Sequence, residues 1–454
     1  PHVAVIGGGL AGLAASIALA DANCRVSLFE RAPRLGGRAT SYVLPDDTQI
    51  DNCQHVTLRC CTNLDDFYSR VGVSTKIRFY DSLLFADSSG RRARMQPGKL
   101  PAPLHLMPSF LTFPLLKWRD KHAIGHAMLR IVFSGGKPKL EKNMTMLDWL
   151  RQQRQTAAAI ERFWKTVLVS ALNEDIDRID ARYGIDLFWK AFLSNSTGFI
   201  MGIPSVPLAE LYAACGDRIS QTGGTVRTRS GVREIAYSGD EVAGVKLDDG
   251  AVIKANYYVA AVTFDRLARL FPNAPDSEDL LSGLQQLHVS PITGVHLWFD
   301  RSVMSEPFLT SVDQTIQWIF NKGSGAHLQI VISASRTLSE LSQQEIAELC
   351  VKELTALLPR VREATLLRFV VVRENAATFS PEPGCDRFRP PQRTPIPNLF
   401  LAGDWTQTGW PATMESAVRS GYLAAEAILK AEGRPAALVK PDLPPTGLAR
   451  WFAL

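Results

Sequence analysis

An α/β fold built around a parallel sheet is predicted by three observations. His2-Val-Ala-Val-Ile6 is a short apolar run suited to a buried strand, and Gly7-Gly-Gly9-Leu-Ala11-Gly12 follows it as G-x-G-x-x-G. Leu10, Leu13, Ala14 and Ile17 then recur on one helical face. A second strand, Arg25-Val-Ser-Leu-Phe29, ends on Glu30, eighteen residues past Gly12. Strand, glycine turn, helix and strand make a βαβ opening, and the fold expected from it is a Rossmann-type domain.

A pyrophosphate needs backbone N–H groups aimed at it and no side chain in the way. Gly7 permits a tight turn, Gly9 lets an anion approach the helix N-terminus, and Gly12 lets the helix pack closely on the strand. A carboxylate at Glu30 suits a ribose hydroxyl pair and repels a 2′-phosphate.

The 454 residues leave room for two or three structural domains, and 46% hydrophobic with 21% charged residues is ordinary for a soluble globular enzyme. A formal net charge of +5 gives no reason to expect nucleic acid as a partner, and it does not oppose contact with an anionic membrane surface. Seven cysteines without C-x-x-C spacing indicate neither a zinc site nor a disulfide framework. The first strand starts at the second residue, so a chain without a signal peptide, in a reduced, cytoplasmic-side setting, is expected.

After Glu30 the chain continues Arg31-Ala-Pro-Arg34-Leu-Gly36-Gly37-Arg38, placing a second glycine pair and a guanidinium along the same diphosphate. This run resembles the flavin-binding signature of the amine oxidase and phytoene desaturase superfamily. The resemblance implies non-covalent FAD rather than NAD, contacted by Gly7, Gly9, Ala11, Gly12, Glu30, Arg31, Gly37 and Arg38. Near the C-terminus, Asn398-Leu-Phe-Leu-Ala402-Gly403-Asp404-Trp405 resembles the second flavin motif, with Gly403 and Asp404 at ribityl or diphosphate groups. Gly409-Trp-Pro411-Ala412-Thr413-Met414-Glu415 then starts a helix whose N-terminus, with Ala412, Thr413 and Met414, would face the flavin pyrimidine edge. By the same resemblance Val232 lays its backbone against the adenine.

Asp51-Asn52-Cys53-Gln54-His55-Val56 is strand-like and, by the same resemblance, passes along the flavin ring. It resembles D-N-G-Q-H of a narrower family, the hydroxysqualene dehydroxylases, with Cys53 in place of glycine. Cys53 is either a buried inert thiol or a thiol beside the cofactor.

Between these motifs, Thr62-Asn-Leu-Asp65 reads as a capping box before a helix bearing Leu64, Phe67, Tyr68 and Val71. Residues 76–99 read as irregular strands and turns. Seventeen uncharged residues lie between Lys99 and Lys117, broken by four prolines and followed by Trp118, Arg119 and Lys121. This stretch either dips into one membrane leaflet or lines a deep apolar core. Residues 120–222 read as mostly helical, with Trp164 and Trp189 as candidates to line a hydrocarbon tunnel. Strands are expected at 232–237, 242–247 and 251–262, then at 292–299, 328–334 and 366–373, with a helix over 342–358. The proline-rich tail ends Arg450-Trp451-Phe452-Ala453-Leu454, which either anchors at an interface or packs on the body.

The expected organisation is an FAD-binding domain in three segments, 1–75, 223–290 and 391–430. An α+β substrate domain is interleaved as a helical, membrane-contacting part at 76–222 and a sheet part at 291–390, and 431–454 form the tail.

The narrower resemblance implies FADH2-dependent removal of the allylic hydroxyl of hydroxysqualene, giving squalene in bacterial squalene and hopanoid biosynthesis, on the inner face of the cell membrane. Loss of hydroxide needs a proton as the bond breaks, and the carbon must then take a hydride from flavin N5 in a dry pocket. His55 is the candidate acid, with Asp51 or Gln54 to orient it; alternatively His55 only hydrogen-bonds flavin or backbone. No second dinucleotide motif with its own strand and acid is present, so electrons are expected from a separate reductase or a transient reduced nicotinamide. Two other readings compete: a phytoene desaturase-like enzyme oxidising a polyene, and a flavin-carrying isoprenoid-binding or assembly protein.

Overall fold

The computed structural model describes residues 1–270 and 282–453. Residues 271–281, within the expected middle FAD segment, and Leu454 of the tail lie outside the described residues. A five-stranded sheet carries the glycine-rich turn, in the order Thr225–Arg227, Arg25–Phe29, His2–Ile6, Tyr257–Ala260, Leu399–Leu401. Every neighbouring pair in it is parallel. The strand expected over 251–262 is two strands. Val252–Ile253 joins an antiparallel sheet with Val232–Ser238 and Glu241–Leu247, and Tyr257–Ala260 enters the parallel sheet.

Helix Leu10–Asp21 is built almost wholly from Leu, Ala, Ile and Gly, and it is buried on every side from Leu10 to Ala20. Helix Met414–Ala431 crosses it at Gly421, where an added Cβ would stand 2.3 Å from the Ala11 carbonyl oxygen and 2.8 Å from the Ala15 nitrogen. Only glycine allows backbones this close. Gly421→Ala is expected to destabilise the protein by about 1–3 kcal/mol through overpacking. A lower melting temperature in thermal denaturation would show it.

A seven-stranded sheet forms the second layer, in the order Leu366–Phe379, Val289–Phe299, His327–Ser333, Trp318–Asn321, Phe308–Val312, Leu83–Asp87, Arg92–Met95. Val289–Phe299 and Leu366–Phe379 extend expected strands, and His327–Ser333 matches its expected strand within one residue. Phe308–Val312 and Trp318–Asn321 are additional, and the stretch read as irregular at 76–99 supplies the last two strands. Helix Gln343–Leu357 is closed at Ser342 by a capping box with Glu345. The box read at Thr62–Asp65 does not form. Helix Thr62–Val71 has Cys61 at its N-cap without a side-chain bond, and the buried Glu415 carboxylate takes the Asn63 and Leu64 amides at 3.3 and 2.8 Å. Thr62 instead donates to the Pro441 carbonyl.

The helical part contains two π-helical turns, Ile160–Trp164 and Phe188–Leu193. Trp164 is buried in an aromatic cluster with Trp149, Phe163 and Phe188, and its indole N–H donates to Gln155. Trp189 is buried against Gly136. Both tryptophans therefore serve packing. The proline-broken stretch divides: Phe113, Leu115 and Leu116 enter the core, while Leu100, Met107 and Leu111 stay exposed. Among the described residues no helix is long and apolar enough to cross a membrane.

His105, in the same stretch, is buried against Phe199 with no hydrogen-bond partner on either ring nitrogen among the described residues. Burial lowers its pKa from 6.5 to about 4. The unfolded chain thus binds a proton that the native one refuses, so stability should fall as pH drops from about 6.5 toward 4. His105→Leu is expected to flatten that decline in a series of thermal melts, and an unchanged slope would contradict the assignment.

Candidate functional site

The glycine turn forms a cradle at the N-terminus of helix Leu10–Asp21. Gly9 is the N-cap, and the helix has neither a side-chain cap nor an acid in its first turn. The space in front of it is kept clear from both sides. A Cβ on Gly37 would stand 2.8 Å from the Gly9 Cα, and a Cβ on Gly12 would meet the Gly7 oxygen at 2.0 Å. The Gly36 amide donates to the Gly8 carbonyl at 2.8 Å, binding the second glycine pair to the first. Glu30 accepts from Gly8 N–H at 2.6 Å and Ala32 N–H at 2.7 Å, which fixes its carboxylate at the end of the second strand. Ala11 sits in the first helical turn, and Arg31 lies beside Gly231, next to Val232.

The N- and C-terminal motifs meet at Arg38. Its guanidinium donates to Asp404 Oδ1 at 2.6 Å and to the Ala377 carbonyl at 2.7 Å, across 366 residues of chain in the first case. The loop after Asp404 is shaped by Arg389, a wholly buried guanidinium that no sequence motif singles out. It donates to the carbonyls of Asp404, Thr406 and Trp410 at 3.0, 2.6 and 2.9 Å. Gly403 donates its amide to Ser420, and Thr413 caps helix Met414–Ala431 by accepting from Ser416 N–H. Ala412, Thr413 and Met414 thus stand at that helix's N-terminus, as expected.

The Asp51–Val56 stretch runs beside this junction, since Asn52 donates its side-chain amide to the Arg38 carbonyl and its backbone amide to Thr40. Here the structure corrects the expected pairing. Neither Asp51 nor Gln54 orients the His55 ring; Nδ1 lies 3.1 Å from the Cys53 carbonyl instead. Burial lowers the His55 pKa, against a smaller opposing effect of that carbonyl, so the ring is neutral near pH 7. Asp51 and Gln54 serve another group. Lys322 Nζ donates to Asp51 Oδ2 at 3.2 Å and Gln54 Oε1 at 2.9 Å. The Asp51 carboxylate also accepts from Ser41 Oγ and the Leu208 amide, and its carbonyl takes His296 Nε2 at 2.9 Å. Burial pushes the Cys53 thiol up to about 12, which leaves it an inert thiol.

Lys322 continues the alternation of the Trp318–Asn321 strand. Trp318 and Phe320 stack at 5.7 Å on the same face, and Phe308 and Tyr80 extend them at 6.0 and 5.3 Å. An aromatic wall therefore leads to an ammonium. Sequence reading missed Lys322 because a lone lysine after a short strand carries no motif.

Against this geometry, the family model of flavin-containing amine oxidoreductases matches residues 10–429. The chain belongs to that family. It is similar to zeta-carotene desaturase of Synechocystis sp., at 27% identity over 95% of this chain and 98% of that protein. It is also similar to 15-cis-phytoene desaturase of Synechococcus elongatus, at 25% identity over 96% and 99%. Among solved structures, an oxidoreductase from Methanosarcina mazei superposes with a TM-score of 0.73 at 18% identity, covering 93% of this chain and 99% of that one. Putrescine oxidase bound to putrescine gives 0.71 at 16%, covering 95% and 100%. These two establish the fold alone.

This is a flavin-dependent oxidoreductase with FAD as its cofactor, and the side-chain-free cradle fits the diphosphate. Glu30 and Val232 would hold the adenosine end, Arg38 and the Gly7–Gly12 turn the diphosphate, and Asp404 with the Thr413 helix end the flavin side. Asp404→Ala removes a charged hydrogen-bonding partner worth about 1.5–3 kcal/mol, so FAD should bind at least about tenfold more weakly. Flavin retained after desalting measures this, and full retention would contradict the assigned role.

Proposed function

We propose that this chain reductively dehydroxylates hydroxysqualene, or a similar long isoprenoid alcohol, to the hydrocarbon. The observation that carries the reading is the Lys322 ammonium, held by Asp51 and Gln54 at the end of an aromatic wall. Removing an allylic hydroxyl requires a proton donor as the C–O bond breaks, whereas desaturating a polyene requires only acceptors. Bound reduced FAD supplies the hydride that replaces the hydroxyl. Lys322 gives its proton to the departing oxygen, which leaves as water, and the Asp51 carboxylate holds the ammonium in place. Trp318 and Tyr80, backed by the buried Phe308 and Phe320, give the hydrocarbon an apolar surface and keep water from the reacting carbon. The D-N-x-Q-H stretch, with its resemblance to hydroxysqualene dehydroxylases, supports the same substrate class.

The names of the relatives support a second reading, oxidative desaturation of a polyene isoprenoid by oxidised flavin. One experiment separates the two. The protein is reduced anaerobically, hydroxysqualene is added, and flavin absorbance is followed with product by mass spectrometry. Flavin reoxidation with stoichiometric squalene is expected. Reduced flavin that persists beside unchanged alcohol would reject dehydroxylation and direct the test to oxidised protein with polyene substrates.

The role of Lys322 has its own test. Lys322→Gln keeps an amide donor to Asp51 or Gln54 but loses the acid, and should slow product formation about 10²–10⁴-fold with flavin content unchanged. His55→Gln should change it less than about tenfold. The reverse order would return the acid to His55.

A further inference from the structure

Helix Trp118–Phe133 buries Asp120, Lys121, Ile124, Ala127, Ile131 and Val132 along one side. At about 100° per residue, Trp118, His122, His126, Leu129, Arg130 and Phe133 fall within an arc of about 120° on the other side. Trp118 is 69% exposed, Leu129 51% and Phe133 66%. The one carboxylate of the helix, Asp120, lies on the buried side, where it accepts from Thr156 Oγ1 at 2.6 Å and from the Lys117 amide. The outer stripe therefore interleaves large apolar side chains with basic ones and has no acid.

A cleft of 930 Å³ opens beside this stripe. Arg130, Lys139 and Arg154 line it with His122, His126 and Trp149, and no carboxylate stands in its wall. The C-terminal turn Gly447–Trp451 extends the apolar rim. Phe452 packs edge-on against Phe133 at 5.3 Å, Leu448 N–H donates to the Ala102 carbonyl, and Trp451 is 81% exposed. The exposed Met107 and Leu111 follow from Ala102 along the chain.

Tryptophan and phenylalanine exposed beside arginine and lysine match the two layers of a bilayer interface. Rings sink to the acyl boundary while cations stay at the phosphate level. We infer that this face docks on an anionic phospholipid bilayer, with the Arg130–Lys139–Arg154 cleft receiving a lipid phosphate. The face shares no residue with the flavin site and holds whichever isoprenoid the enzyme uses.

The test is cosedimentation of the full flavin-loaded protein with vesicles of phosphatidylcholine alone or mixed with phosphatidylglycerol, at low and high salt. Binding to the anionic vesicles should be at least about tenfold tighter and should fall with salt. Arg130→Glu with Lys139→Glu should lose at least about tenfold in that binding with the flavin spectrum unchanged. Trp118→Ser with Phe133→Ser should weaken binding to both vesicle types. Inorganic phosphate at the same ionic strength as a chloride control should not displace the protein further. Equal binding to neutral vesicles, no binding to either, wild-type binding by the charge-reversed variant, or specific displacement by phosphate would each overturn the inference.

Discussion

A close helix contact at Gly421 sets the rest. Helix Leu10–Asp21 starts at the glycine turn that would hold the pyrophosphate, and helix Met414–Ala431 starts where the flavin side of the cofactor would lie. Gly421 and the small residues Ala11, Ala14 and Ala15 let the two backbones touch. Any wider separation would move one half of the dinucleotide site relative to the other. The run of alanines that makes the first helix a weakly amphipathic element is thus explained by what must lie against it on each side.

Charge then finishes what packing begins. Arg38 and Asp404 pair between the N- and C-terminal motifs, and Arg389 draws the carbonyls of the Asp404–Trp410 loop around a single guanidinium. A buried cation is tolerated there because carbonyls, Tyr183 and Asp386 take hydrogen bonds from its two terminal nitrogens. Glu415 plays the matching part for helix Thr62–Val71, closing its amides from the far end of the chain. Each of these contacts joins early sequence to late sequence or shapes the late motif.

The cofactor-binding half was legible because its chemistry needs local patterns: glycines at fixed spacing, an acid at the end of the next strand, Gly-Asp after a buried strand. The Asp51–Val56 stretch was legible as a place, but its internal pairing was not. Which side chain Asp51 meets depends on a lysine 271 residues away, brought by a strand that has no signature. The capping box at Thr62 failed for the same reason, because a buried carboxylate from another helix out-competed the local one. Strands within 76–99 were expected, but their membership of the seven-stranded sheet was not legible, because it depends on pairing with Phe308–Val312 more than 200 residues away. The tryptophan pair at 164 and 189 looked like tunnel lining and proved to be core, because π-helical turns redirect helical faces in a way that a regular period cannot show.

In the proposed reaction Lys322, and not His55, presents the proton to a bound isoprenoid alcohol. The decisive measurement is a crystal structure of the flavin-loaded protein with a long allylic alcohol. Its hydroxyl oxygen is expected within hydrogen-bonding distance of Lys322 Nζ, with the chain laid along the aromatic wall at Trp318. An alcohol whose oxygen meets His55 instead, or whose chain avoids that aromatic wall, would contradict it.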